Sequence, residues 1–145
     1  MSQENIATSR RFLEEAFNRG NLSVIDELST EDFVGHDPMT GDQDKEGGKQ
    51  AISGYRAAFP DLHIAIEDIF AAGDKVAYRW SVEGTFENEI MGLQPTGERG
   101  DPVRGITIDR FEGGKVAESW SQWDTLTLMR DIGAIPEQTA ASADS

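Results

Sequence analysis

Cysteine is absent, and with it disulfides, thiolate metal sites and cysteine nucleophiles. Cations are scarce: 13 Lys and Arg stand against 27 Asp and Glu, for a net charge of −14. Nucleic-acid affinity comes mostly from clustered Lys and Arg, so this balance argues against a phosphate-backbone partner. It also disfavours an anionic membrane surface. No apolar run approaches the roughly 20 residues that span a bilayer. The start, Met1-Ser-Gln-Glu-Asn5, lacks the basic and apolar regions of a signal peptide. The expectation is a soluble, cytoplasmic protein with no nucleic-acid and no membrane partner. Phosphate-cradling loops, dinucleotide fingerprints, His-Glu-x-x-His helices and Gly-x-Ser-x-Gly elbows are all missing. The two His are far apart in sequence, too few for an ordinary metal site. No metal and no cofactor are therefore expected, and any chemistry falls to side-chain acids and bases.

What is present suits one folded domain. The 145 residues are 37% hydrophobic, with seven Phe, three Trp and two Tyr, enough for a real core. The acids are spread along the chain, which reads as a solvated surface. The domain is expected over residues 1–135, with a small, polar, disordered tail over 136–145.

Apolar spacing predicts a helix over 3–19, stopped near Gly20, and a short one over 23–28 behind Ser23. A short strand over 31–38 ends at Pro38. Residues 39–48 read as a polar loop, and 48–59 as a helix ended by Pro60. Alternation then predicts strands over 62–71, 75–86, 103–111 and 115–124, with turns at Ala72-Gly-Asp74 and Glu112-Gly-Gly-Lys115. Residues 87–102 form an irregular excursion. A last short helix precedes Gly133. Helices first and an antiparallel sheet afterwards make an α+β fold, and a bent sheet around helices would enclose a pocket.

Period two places Val116, Glu118, Trp120, Gln122 and Asp124 on one face of the final strand. An acid beside large apolar rings loses solvation, its pKa rises, and it can exchange protons near neutrality. That makes Asp124 the candidate catalytic acid or base, with Trp120 and Gln122 beside it on a ligand. The competing reading turns this face to solvent or to a subunit partner, with Trp120 as an interface anchor. His36 is a second catalytic candidate, because histidine titrates near physiological pH; a turn or surface histidine is the alternative. His63 falls opposite the apolar face of its strand and reads as solvent-facing. Tyr55, Phe59 and Trp80 read as core or pocket wall. Arg104 shares a face with Ile106 and Ile108 and reaches either a pocket acid or its edge. Asp109 and Arg110 are adjacent in a strand, so they point to opposite faces.

A run of short motifs then makes a pattern: Phe33-x-x-His36-Asp-Pro38, Tyr55-x-x-x-Phe59-Pro-Asp-Leu62, Ile66-Glu-Asp68 with Ala72-Gly-Asp74, Arg79-Trp80 with Gly84-Thr85, and Pro95-Thr-Gly97. Phe111-Glu-Gly-Gly-Lys115, Glu118-x-Trp120-x-x-x-Asp124 and Asp131-Ile-Gly133 complete it. In order and spacing the chain resembles the SnoaL-like polyketide cyclases, or ester cyclases, of the nuclear-transport-factor-2-like superfamily. The resemblance implies a cystatin-like cone, in which a curved antiparallel sheet wraps around N-terminal helices and an apolar pocket. It implies a homodimer or homotetramer packed through the sheet. It implies intramolecular aldol cyclisation, or related proton transfer, on a small apolar or aromatic carbonyl compound. The family's catalytic aspartate on the last strand looks like Asp124, and its pocket histidine like His36. Many relatives carry histidine after the Gly-Thr of the central strand, where this chain has Phe86. The superfamily also holds non-catalytic small-molecule-binding or structural modules, epoxide hydrolases and ketosteroid isomerases. An Asp124–Arg104 pair would suit the hydrolases, and Tyr55 or Tyr78 the isomerases.

Overall fold

The computed structural model describes residues 2–135; the tail expected over 136–145 lies outside the described residues. α1 (Ser2–Leu13) runs into a π-helical turn at Glu14–Asn18. Asn5, Ser9 and Leu13, four residues apart, form its buried stripe. α2 (Ser23–Leu28) follows as the sequence predicts. α3 (Lys45–Ala58) begins earlier than apolar spacing suggests, because the Asp44 carboxylate accepts from the Gly47 N–H at 2.8 Å and caps the helix.

The strands are β1 (Ser29–Asp37), β2 (Gly41–Gln43), β3 (His63–Ala72), β4 (Lys75–Glu83), β5 (Val103–Glu112) and β6 (Lys115–Trp123). They form one sheet in the order β2-β1-β6-β5-β4-β3. β1 lies parallel to β6, and every other pair is antiparallel. The β5–β6 turn has φ of 58° at Gly113 and 82° at Gly114, the left-handed pair a two-residue hairpin requires. β2 is an addition: the expected polar loop over 39–48 contains a short edge strand held by backbone pairing. α4 (Thr125–Asp131) closes the described chain. The architecture is α+β, a curved sheet with the helices on its inner face.

Two bulges reset the alternation. Between Ile66 and Asp68 the β3 register slips against β4. Ile64 and Ile66 pack inward before the slip, and Ile69 and Ala71 after it. Phe70 is therefore turned out, 60% exposed, contrary to unbroken period two. In β6 the register slips between Val116 and Glu118, so Val116 and Ala117 are both buried. Ser119, Ser121 and Trp123 face the helices after that point, while Glu118, Trp120 and Gln122 face outward. His63 is exposed, as alternation predicts.

Phe86 lies in the core, not on the cavity wall. It is buried among Ala58, Phe59, Val103, Leu128 and Ile132, behind the cavity wall.

Candidate active site

Between the helices and the inner face of the sheet lies a cavity of about 240 Å³. Its walls are aromatic, with Phe12, Phe17, Phe33, Tyr55, Phe59 and Trp80. Tyr55, Phe59 and Trp80 are thus part of the cavity wall. Burial, with the Asp37 charge added, pushes the Tyr55 phenol up to about 12. Its hydroxyl meets only the Met39 sulfur, at 3.6 Å.

Arg104, Trp120 and Gln122 are not brought to this cavity. Arg104 follows the alternation read from the sequence, but its face is the outer one. Trp120 and Gln122 are turned out by the β6 bulge. Arg104 and Gln122 border a shallow depression on the outer face with Arg79 and Asp124.

Asp124 needs the same correction of place. It lies just beyond β6 and caps α4. Its carboxylate accepts from the Thr127 N–H at 3.1 Å and the Thr127 hydroxyl at 2.6 Å. Those two bonds hold its pKa below the usual carboxylate range, the opposite of the expected rise. A cap of this kind contributes about 1 kcal/mol. Asp124→Ala is expected to lower unfolding stability by about that amount in urea melts. An unchanged midpoint would remove the capping role.

The buried acid of the cavity is Asp109, which the sequence reading left without a role. β5 points Val103, Gly105, Thr107, Asp109 and Phe111 inward, all buried or facing the cavity. Asp109 is only 3% exposed. The Ser9 hydroxyl donates to its Oδ2 at 2.7 Å from α1, and the Ser119 hydroxyl to its Oδ1 at 2.6 Å from β6. Burial raises its pKa; the bonds from Ser119, Ser9 and the neighbouring Tyr78 phenol restrain the rise. The signal in the sequence was an acid at an inward position of an otherwise apolar strand, opposite a small hydroxyl residue. The Asp109–Ser119 register makes that pairing.

His36 borders the cavity through β1, but its ring is engaged on the outer side. Nδ1 lies 2.7 Å from an Asp42 oxygen and Nε2 2.7 Å from a Glu118 oxygen. The ring stacks on Trp120 at 5.8 Å between centroids. Arg110 reaches the other oxygen of Glu118. The Glu118 bond, then the Asp42 bond, raises the His36 pKa above its ordinary 6.5. A raised histidine pKa means stability present below the unfolded value and lost as pH rises through the folded one. NMR titration of the ring should give a midpoint above 6.5, and Glu118→Gln should bring it down. A wild-type midpoint at or below 6.5 would contradict this geometry. The structure therefore does not bring His36 and Asp124 together around one ligand.

Among the described residues no group of three His, Asp or Glu is arranged to hold a metal. No helix among them is long and apolar enough to cross a membrane.

Comparison with known proteins places this geometry in context. AclR from Streptomyces galilaeus, provisionally named a hydroxylase, shares 29% identity, covering 99% of this chain and 90% of its own, with a TM-score of 0.87. IdmH from Streptomyces antibioticus, provisionally named a polyketide cyclase, shares 32% identity over 90% of this chain and 97% of its own, with a TM-score of 0.75. A SnoaL-like protein from Jannaschia sp. CCS1, at 23% identity and a TM-score of 0.82, covers 93% of this chain and 95% of its own and shares the fold. No curated protein sequence matches this chain. The family model for SnoaL-like polyketide cyclases matches residues 7–132, which is most of the sequence, and the chain belongs to that family.

Proposed function

We propose that this protein is an acid–base enzyme that moves a proton at carbon in a small, apolar or aromatic carbonyl compound, with Asp109 as the group that takes and returns it. Aldol cyclisation of one molecule on itself is the reaction the family membership favours. The carrying observation is the Asp109 carboxyl, buried at an aromatic cavity and oriented by Ser9 and Ser119. A carboxyl with a raised pKa in such a site is a stronger base once ionised and a usable acid when protonated. The cavity holds the two reacting ends of one substrate together, an arrangement that can contribute several kcal/mol to the rate.

Asp124 and His36 take supporting places in this reading, one at the cap of α4 and one on the outer face. The outer face also exposes Phe70, Ile106 and Trp120, which supports packing of two copies through the sheet. The test is deuterium exchange at the α-carbon of 2-tetralone, an apolar bicyclic ketone, followed by NMR in D2O. Exchange faster than in buffer, growing as pH rises through the raised Asp109 pKa, supports the reading. Exchange at the buffer rate with bound ketone counts against it.

A further inference from the structure

A second polar group stands on the same cavity floor and plays no part in holding Asp109. The Trp80 indole N–H donates to the Thr107 hydroxyl oxygen at 3.0 Å. The Thr107 and Ser121 hydroxyls lie 2.8 Å apart, on positions directly opposite each other in β5 and β6. All three residues line the cavity.

An indole N–H only donates, and each hydroxyl has one proton to give. The indole proton goes to Thr107. One hydroxyl proton makes the Thr107–Ser121 bond. With Thr107 donating that bond, the Ser121 proton has no further partner in hydrogen-bond geometry among the described residues. The Tyr78 phenol beside them is held well above its usual pKa by burial and by the Asp109 charge, so it stays protonated, and its one proton goes to Asp109. A floor with a spare hydroxyl donor in an apolar cavity is matched by a ligand oxygen that accepts.

Thr107 and Asp109 are two residues apart on one strand face, hence about 7 Å along the sheet. Their partners Ser121 and Ser119 repeat that spacing on β6. A carbonyl oxygen at the Thr107–Ser121 pair puts the adjacent or conjugated carbon beside the Asp109 carboxyl.

We infer that Thr107 and Ser121, backed by the Trp80 indole, form the subsite that receives the substrate's carbonyl oxygen and stabilises the negative charge that reaches it when Asp109 removes the neighbouring proton. This rests on the acid–base reading of Asp109. The step balances within the substrate: the C–H pair becomes the C=C bond of an enolate, the proton moves to Asp109, and the carbonyl π pair ends on oxygen. Donors aimed at a developing oxyanion act most strongly where water is excluded. The subsite selects ketones, esters and quinones over hydrocarbons of the same shape.

Two readouts on 2-tetralone labelled with carbon-13 at the carbonyl test this. In the wild type the infrared carbonyl stretch of the bound ketone should fall below its value in a dry apolar solvent. In Ser121→Ala combined with Thr107→Val it should return toward that value, and α-exchange should slow by about tenfold or more. Thr107→Ser, which keeps the hydroxyl, should retain both. A double variant that folds but leaves stretch and exchange unchanged overturns the subsite, while exchange that still depends on Asp109 leaves the acid–base reading standing. A shifted stretch that depends on Ser121 and Thr107 without any exchange in the wild type keeps the subsite and removes the acid–base reading. A stretch that responds to Tyr55→Phe instead assigns the oxygen to the other side of the cavity and also overturns the proposal.

Discussion

Asp109→Asn should abolish α-proton exchange on 2-tetralone, lowering the rate by about 10²-fold or more, the scale of a lost general base. The amide keeps the volume of the carboxyl and can still pair with Ser9 and Ser119, so the cavity and the affinity for the ketone should survive. A variant that loses binding and exchange together would point to collapse of the site. A variant exchanging at the wild-type rate would remove Asp109 from the chemistry. The pH dependence adds an independent mark. The Asp109 pKa is raised by burial, so the wild type gains catalytic base as pH climbs through that raised value. The same shift acts on stability with a definite sign. A carboxyl whose folded pKa lies above its unfolded one favours the fold at low pH, and that contribution is lost as pH rises through the folded pKa. The difference in melting temperature between Asp109→Asn and wild type should therefore move in favour of the variant as pH increases.

Phe86→Ala should cost about 3–5 kcal/mol, the range for deleting a buried phenylalanine side chain. Phe86 is 1% exposed and lies against Phe59, with ring centroids 5.6 Å apart. Its backbone also anchors the long excursion between β4 and β5: its N–H donates to Glu98 O at 3.0 Å and its carbonyl accepts from Gly97 N at 2.8 Å. Removing the ring leaves a void behind Phe59, which itself lines the cavity. Urea unfolding measures the loss, and a change below about 1 kcal/mol would show that the surroundings had collapsed into the space. Phe86→His should also destabilise. Among these apolar neighbours its ring nitrogens would be buried without a designed partner.

The element order was legible because it depends on local signals: apolar spacing in the helices, alternation in the strands, and Gly or Pro at the breaks. The family was legible from motifs spread over nearly the whole chain. The candidate site was read only in part, for a geometric reason. Tyr55, Phe59 and Trp80 precede any irregularity that changes their facing, and they line the cavity. Trp120 and Gln122 follow the bulge at Ala117, where one extra residue exchanges the two faces of β6. Val116 is buried, and counting by twos from it across the bulge reaches the outer face. Asp124 sits one residue past the strand, where a helix cap rather than strand alternation sets its direction. Asp109 was seen to point away from Arg110, but its tie to Ser9 is invisible locally. The same holds for β2, whose Gly-Asp-Gln sequence carries no strand signal and forms by backbone pairing alone.

The bond between Ser9 and Asp109 joins residues 100 apart in sequence, and β1 pairs in parallel with β6 across a comparable length of chain. Closing loops of such length costs conformational entropy before any contact rewards it. Asp109 thus receives its Ser9 bond only where α1 is docked against the sheet. A chain in which α1 is undocked therefore lacks this aligned carboxyl–serine arrangement even when every strand is in place.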